Sequence, residues 1–121
     1  MDCWDGSDGP IVTHGNTFCT SEKFDEVVQA IADAAFDTSK LPVIISMEMH
    51  SSPKQQKQIA TAMMQRIGNA LFLHDEAEAT GRATSLSPRD LTMRVLVKGK
   101  VKAPKDSNSR ATKCQAAIAP Q

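Results

Sequence analysis

Hydrophobic and polar positions along the chain change period several times, and each change marks an element. Met1 to Trp4 is a first strand candidate. It runs into Asp5-Gly6-Ser7-Asp8-Gly9-Pro10, a stretch in which Gly supplies positive φ and Pro fixes the next backbone angle. Ile11, Val12 and Thr13 are β-branched and predict a second short strand, ending at His14-Gly15. Phe24, Val27, Val28, Ile31 and Ala35 then recur at helical spacing, with Thr20 or Ser21 available as the cap. Lys40-Leu41-Pro42 breaks that pattern. Val43-Ile44-Ile45-Ser46-Met47-Glu48 follows, its first half continuously apolar, as expected of a strand covered on both faces. A second helix is predicted from Ser52, with Pro53 at its first position and Gln55 placed to complete a capping box. Ile59, Met63, Ile67 and Leu71 lie on one side of it. His74 to Thr84 is polar, acidic and loop-like, and Ser87-Pro88-Arg89-Asp90 reads as the capped start of one short turn. Val95-Leu96-Val97 is the last strand candidate, ending at Lys98-Gly99-Lys100. From Lys102 onward Ala, Lys, Ser, Pro and Gln dominate without periodicity, which predicts a disordered linker or tail over 102–121.

Buried strands alternating with amphipathic helices predict an α/β fold with a parallel sheet and right-handed crossovers. A complete (β/α)8 barrel takes about 250 residues, so the 121 residues here correspond to about half of one. A half barrel has open edges and strands with no far wall. On those grounds the chain is expected to be an incomplete protein, with residues 1–101 forming the partial barrel.

Composition narrows the function classes. Basic and acidic side chains balance at 14 each, which argues against a nucleic-acid partner. The three cysteines, Cys3, Cys19 and Cys114, share no metal-ligand spacing, so a disulfide framework is not expected and a reducing compartment fits best. No apolar run is long enough to span a membrane, and the first residues are too polar for a signal peptide. The expected location is cytoplasmic, with any membrane association peripheral.

The ionisable residues fall at strand ends. Asp2 and Asp5 belong to the first candidate, His14 ends the second, Glu48 the third, and Lys98 and Lys100 the fourth. In a parallel barrel the C-terminal strand ends form one mouth, and that mouth carries the active site. Asp2 and Glu48 are either hard oxygen ligands for Ca²⁺ or Mg²⁺ or solvated loop carboxylates. His14 is either a general acid or base or an ordinary hydrogen-bonded histidine. Lys98-Gly99-Lys100 suits phosphate oxygens, or is simply a solvated strand end. His50 is assigned a weaker, structural role, His74 an exposed one, and Cys19 lacks a nucleophile's partners. Trp4 is a core or a mouth residue.

Several segments resemble one family. Asp2-Cys3-Trp4-Asp5-Gly6 is similar to the acidic strand-end motif of the X region of eukaryotic phosphoinositide-specific phospholipases C. Pro10-Ile11-Val12-Thr13-His14-Gly15, followed by Thr17-Phe18-Cys19-Thr20-Ser21, resembles the family's catalytic histidine segment. Pro42 through His50 resembles its third acidic segment, and Leu86-Ser87-Pro88 through Lys98-Gly99-Lys100 its basic strand end. Phe36 and Gln55-Gln56 also fit. The resemblance covers nearly all of Met1 to Lys102, in order and spacing.

The resemblance implies a split (β/α)8 barrel, of which this chain holds roughly strands two to five. It implies Ca²⁺-dependent hydrolysis of phosphatidylinositol phosphates to diacylglycerol and soluble inositol phosphates through a cyclic phosphate. By position, Asp2 and Glu48 match Ca²⁺ ligands, His14 the acid to the leaving diacylglycerol, and Lys98 and Lys100 the lysines that hold ring phosphates. The family's other catalytic histidine, its ligand asparagine and its ligand glutamate fall ahead of Met1, and the Y half of the barrel lies outside the chain. Met49 stands where a polar residue is common. Two expectations follow: an enzyme of lipid signalling that is inactive as this fragment, or a non-catalytic remnant that at most binds phosphate, phosphoinositide or a partner.

Overall fold

The computed structural model describes residues 1–15, 18–73 and 86–100. The predicted tail from 102, and the predicted loop from His74 to Thr84, lie outside the described residues. Five strands form one sheet in the order β3-β2-β1-β4-β5. In chain order these are β1 (Asp2–Asp5), β2 (Pro10–Val12), β3 (Glu22–Lys23), β4 (Val43–Met49) and β5 (Val95–Gly99). Helix α1 (Phe24–Ala34) precedes β4, and α2 (Pro53–Ile67) follows it, ending in a 3-10 turn at Gly68–Ala70.

β4 runs parallel to both β1 and β5, as an α/β barrel requires. The expectation of a wholly parallel sheet does not hold, because β2 is antiparallel to β1 and β3 antiparallel to β2. The cause is the length of the connection. Only Gly6 to Gly9 separates β1 from β2, whereas a parallel crossover needs about a dozen residues. The turn is closed by the Gly6 N–H donating to the Gly9 carbonyl at 3.0 Å, with Gly9 at φ 143°, a conformation glycine supplies without strain.

The α1 cap also differs from expectation. Neither Thr20 nor Ser21 caps it; Lys23 occupies that position without a side-chain cap bond. Glu22 and Lys23 pair with Val12 and Ile11 as an edge strand, so the helix begins only where Phe24 turns into the core. At α2 the predicted cap residue and Pro53 stand in place, but the capping box does not form. Both of its side chains are used elsewhere, as described below.

The core is a single layer of apolar contacts between the helices and one face of the sheet. Phe24 and Val28 of α1, Ile59, Ala62, Met63 and Ile67 of α2, and Cys3, Ile45, Met47 and Val95 of the sheet are buried in it. Burial pushes the Cys3 thiol up to about 11, so it behaves as a small apolar side chain. On the outer surface Arg66 of α2 grips Asp25 of α1 through two hydrogen bonds, Nε to Oδ1 at 3.0 Å and Nη2 to Oδ2 at 2.6 Å.

Along β4 burial alternates instead of running continuously. Ile45 and Met47 are buried, while Ile44 is 63% exposed and Ser46 and Glu48 face outward. The strand expected to be covered on both faces is covered on one among the described residues. The apolar run at Val43–Ile45 marks a strand whose second face has no partner among the described residues.

Candidate active site

The uncovered face of the sheet carries the charged residues. Side chains in register on neighbouring strands share a face, and positions two apart along a strand do too. Asp2 of β1 is in register with Glu48 of β4. Ser46 is in register with Lys98 of β5, so the next outward position, Glu48, lies level with Lys100 just past the strand end. Asp2, Glu48 and Lys100 therefore form one row across three strands, with Lys98 behind Lys100. Asp2 opens β1 instead of closing it; β1 enters at the sheet end where β4 finishes and runs beyond.

β2 returns His14 to the same end. The Thr13 N–H donates to the Asp2 carbonyl at 3.2 Å, so His14 leaves the strand beside the start of β1. It reaches the mouth from an antiparallel strand, not from the parallel set in which it was expected. Its position is set by Gly15, whose backbone lies against the Trp4 indole; a Cβ on Gly15 would meet Trp4 Cζ2 at 2.3 Å. Trp4 is thus a mouth residue, which the sequence left open. Its ring stacks on that of His50, with centroids 4.2 Å apart and 14° between planes.

The part of the β1–β2 hairpin that projects past β4 is braced by the start of α2. Asp5 Oδ1 accepts from the Ser52 N–H at 2.9 Å and from Ser52 Oγ at 3.2 Å. The Gln55 amide pairs with the Gly6 peptide, accepting from its N–H at 3.2 Å and donating to its carbonyl at 2.8 Å. These contacts consume the side chains expected to cap α2. They place a carboxylate at the helix N-terminus, where the exposed N–H groups favour negative charge.

The electrostatics of the row are mixed. The Glu48 carboxylate lies between two cationic or potentially cationic groups, His50 Nε2 at 3.8 Å and Lys100 Nζ at 4.0 Å. Lys100 is 95% exposed, so its contact with Glu48 is loose and worth little. Asp2 Oδ1 lies 3.8 Å from the N-terminal amine. As a metal site the row supplies the right donor type, carboxylate oxygens that suit hard cations. Among the described residues there is no group of three or more His, Cys, Asp or Glu able to hold an ion. Asp2 and Glu48 fit as part of a cation site, not as a whole one. Cys19 is exposed, with its Sγ 3.8 Å from the His14 carbonyl. No helix among the described residues is long and apolar enough to cross a membrane.

Half of an α/β barrel, opened along its inner face and carrying carboxylates, a histidine and lysines at its mouth, is the type of structure that these features define. Residues 1–101 match the family "Phosphatidylinositol-specific phospholipase C, X domain", and the chain belongs to that family. It is 44% identical over 106 residues to human 1-phosphatidylinositol 4,5-bisphosphate phosphodiesterase gamma-2, a match covering 87% of this chain and 8% of that protein. With the bovine beta-1 phosphodiesterase it shares 39% identity over 119 residues, covering 93% of this chain and 10% of the relative. The crystal structure of S. officinalis PLC21 superposes with a TM-score of 0.69 at 36% identity, over 88% of this chain and 14% of that one. The chain spans about a tenth of the length of these curated relatives.

Proposed function

We propose that this chain supplies the X half of a Ca²⁺-dependent phospholipase C that hydrolyses phosphatidylinositol phosphates to diacylglycerol and soluble inositol phosphates. The observation that carries the proposal is the row of Asp2, Glu48 and Lys100, in register across the uncovered face, with the His14 turn seated beside it on Trp4. Asp2 and Glu48 are the residues that would hold Ca²⁺, with the remaining positions of its six to eight oxygens taken by water, substrate or another part of the barrel. Bound there, the ion lowers the pKa of the attacking hydroxyl and offsets charge on the phosphate. Lys98 and Lys100 orient the substrate by holding ring phosphates as point charges. The inositol 2-hydroxyl, giving its proton to a carboxylate base of the completed mouth, displaces the diacylglycerol oxygen at phosphorus, and His14 donates the proton that the leaving oxygen takes up. Water then opens the cyclic phosphate, losing a proton to His14 while the protonated carboxyl returns its proton to the 2-oxygen.

The chain on its own is inactive in this proposal and at most binds phosphate or phosphoinositide. Two features support that state: the inner face is open, with Ile44 exposed, and the described residues hold no cluster of three cation ligands. Substrate would be met at a lipid surface by peripheral contact, with the Y half of the barrel as the required partner. The test is release of soluble inositol phosphate from micelles containing phosphatidylinositol 4,5-bisphosphate. The chain is assayed alone, and joined to an upstream strand and a Y half taken from a relative. Chelator-sensitive release is expected only from the completed barrel, and His14→Ala should reduce it by about 10²–10⁴-fold, the usual contribution of a positioned acid. Full activity in the His14→Ala barrel, or robust release by the chain alone, would overturn the proposal.

A further inference from the structure

We propose that Gln55 is a positioning residue for His14, acting through the turn of the β1–β2 hairpin. The proposal rests on the reading of His14 as the acid to the leaving group. On its β4 side, β1 pairs only through Asp2 and Cys3, which face Glu48 and Met49. Gly6 stands three residues past Cys3, about 10 Å at the rise of an extended strand. One side chain holds both polar groups of its peptide unit: Gln55 Oε1 accepts from the Gly6 N–H at 3.2 Å, and Gln55 Nε2 donates to the Gly6 carbonyl at 2.8 Å. A paired strand would hold a residue in the same way, fixing orientation as well as distance. The Asp5–Ser52 bonds beside it are exposed, whereas the Gln55 pair is partly buried, so the amide is the firmer hold.

The register links that hold to the histidine. Val12 of β2 pairs with Cys3, and His14 lies two residues past Val12, toward the end of the hairpin opposite Gly6. That is about 7 Å from the Cys3–Val12 pair at the same rise. The ribbon therefore acts as a lever about this pair: a shift of the Gly6 turn carries His14 the other way by about two-thirds as much. β3 and the Trp4–Gly15 contact resist the motion at the His14 end, and Gln55 resists it at the turn. Misplacing a catalytic group by about 1 Å costs up to about 10²-fold in rate. With the other holds kept, loss of the Gln55 amide is expected to cost on the order of tenfold.

The experiment uses the completed barrel and two substrates with one inositol bisphosphate head group. One carries diacylglycerol, whose alkoxide must take a proton as it leaves. The other carries nitrophenol, whose anion leaves without one. The ratio of the two kcat/KM values is read on a single preparation, so any loss of folded protein cancels from it. Gln55→Ala should lower the diacylglycerol value by on the order of tenfold and the nitrophenol value by less than about twofold. Gln56→Ala should keep the wild-type ratio; it removes an amide from the same turn of α2, one that donates to the Ser51 carbonyl at 2.8 Å instead of to the hairpin. Added to His14→Ala, Gln55→Ala should leave the ratio where His14→Ala puts it, because the two residues act as a unit. A wild-type ratio in Gln55→Ala, an equal shift in Gln56→Ala, or a further shift in the double variant overturns this proposal alone. A wild-type ratio in His14→Ala overturns the assignment of the acid and this proposal with it.

Discussion

Gly15→Ala should damage the mouth far more than its single added methyl suggests. The new Cβ would lie 2.3 Å from Trp4 Cζ2, 2.8 Å from Cε2 and 3.0 Å from Cη2. Carbon atoms in contact sit about 3.5–4.0 Å apart, so the gap must widen by more than 1 Å, roughly the difference between those figures. A flexible side chain could swing aside, but an indole stacked at 4.2 Å on His50 cannot move without breaking that stack. Either Trp4 leaves His50 or the His14–Gly15 turn lifts off the sheet. Overpacking of this type costs about 1–3 kcal/mol. The natural control is Gly99→Ala, whose Cβ would meet nothing nearer than the Met47 carbonyl at 3.8 Å and which replaces a glycine inside a strand. The assay is urea unfolding followed by Trp4 fluorescence, with native-state emission recorded first. Gly15→Ala should shift the native emission and lower the midpoint, while Gly99→Ala should leave emission unchanged and the midpoint equal or higher. If Gly15→Ala unfolds at the same midpoint as Gly99→Ala with native emission, the Gly15–Trp4 contact does not position the His14 turn.

Other expectations concern the two sides of the sheet and the helix pair. Ile44→Ala should change stability by no more than about 0.5 kcal/mol, as at ordinary exposed sites, whereas Ile45→Ala should cost about 2–5 kcal/mol, because Ile44 is 63% and Ile45 only 6% exposed. Equal losses in denaturant unfolding would mean that the inner face is covered after all. The Arg66 guanidinium holds the Asp25 carboxyl below its ordinary value, chiefly through hydrogen bonding. A lowered folded-state pKa adds stability above the unfolded value that is lost as pH falls through the folded one. Arg66→Ala should therefore melt below wild type at pH 7, and the gap should narrow below about pH 4; a gap constant down to pH 2.5 would count against the pair.

The sequence pattern was informative where local signals and tertiary packing agreed. The α2 stripe of Ile59, Met63 and Ile67 is buried as its spacing predicts, and Pro53 begins the helix as its missing N–H favours. Glu48 and the lysines stand together because β4 and β5 are parallel, as the alternation of elements predicted, whereas Asp2 joins them from the start of β1 through the stagger of its register. Pattern misled where tertiary contacts overruled a local preference. Ser52 and Gln55 match a capping box, but Asp5 and Gly6 from the distant hairpin compete for the same groups. Thr20 and Ser21 could cap a helix, but pairing of Glu22 and Lys23 with β2 satisfies more backbone groups. The pairing of His50 with Trp4 had no sequence signal, since the two residues meet only through the β1–β4 register.

The antiparallel β2 is the departure with most bearing on chemistry. If β2 had been parallel to β1, a crossover would have been needed, and His14 would have ended its strand level with Asp5, past the carboxylate row. The four-residue turn prevents this and reverses the chain, so that Val12 returns opposite Cys3 and Thr13 bonds to Asp2. The histidine is brought back to the level of the carboxylates by the same register that carried β1 beyond them. A hairpin that overhangs the sheet has few neighbours to hold it, and a two-stranded ribbon is marginal alone. Here α2 supplies the missing support through Ser52 and Gln55, and Trp4 supplies it from below through Gly15. The position of His14 therefore depends on Ser52 and Gln55, far from it in sequence, and on Trp4 acting through the flanking Gly15, so the motif's own neighbour fixes the candidate acid only together with residues outside the motif.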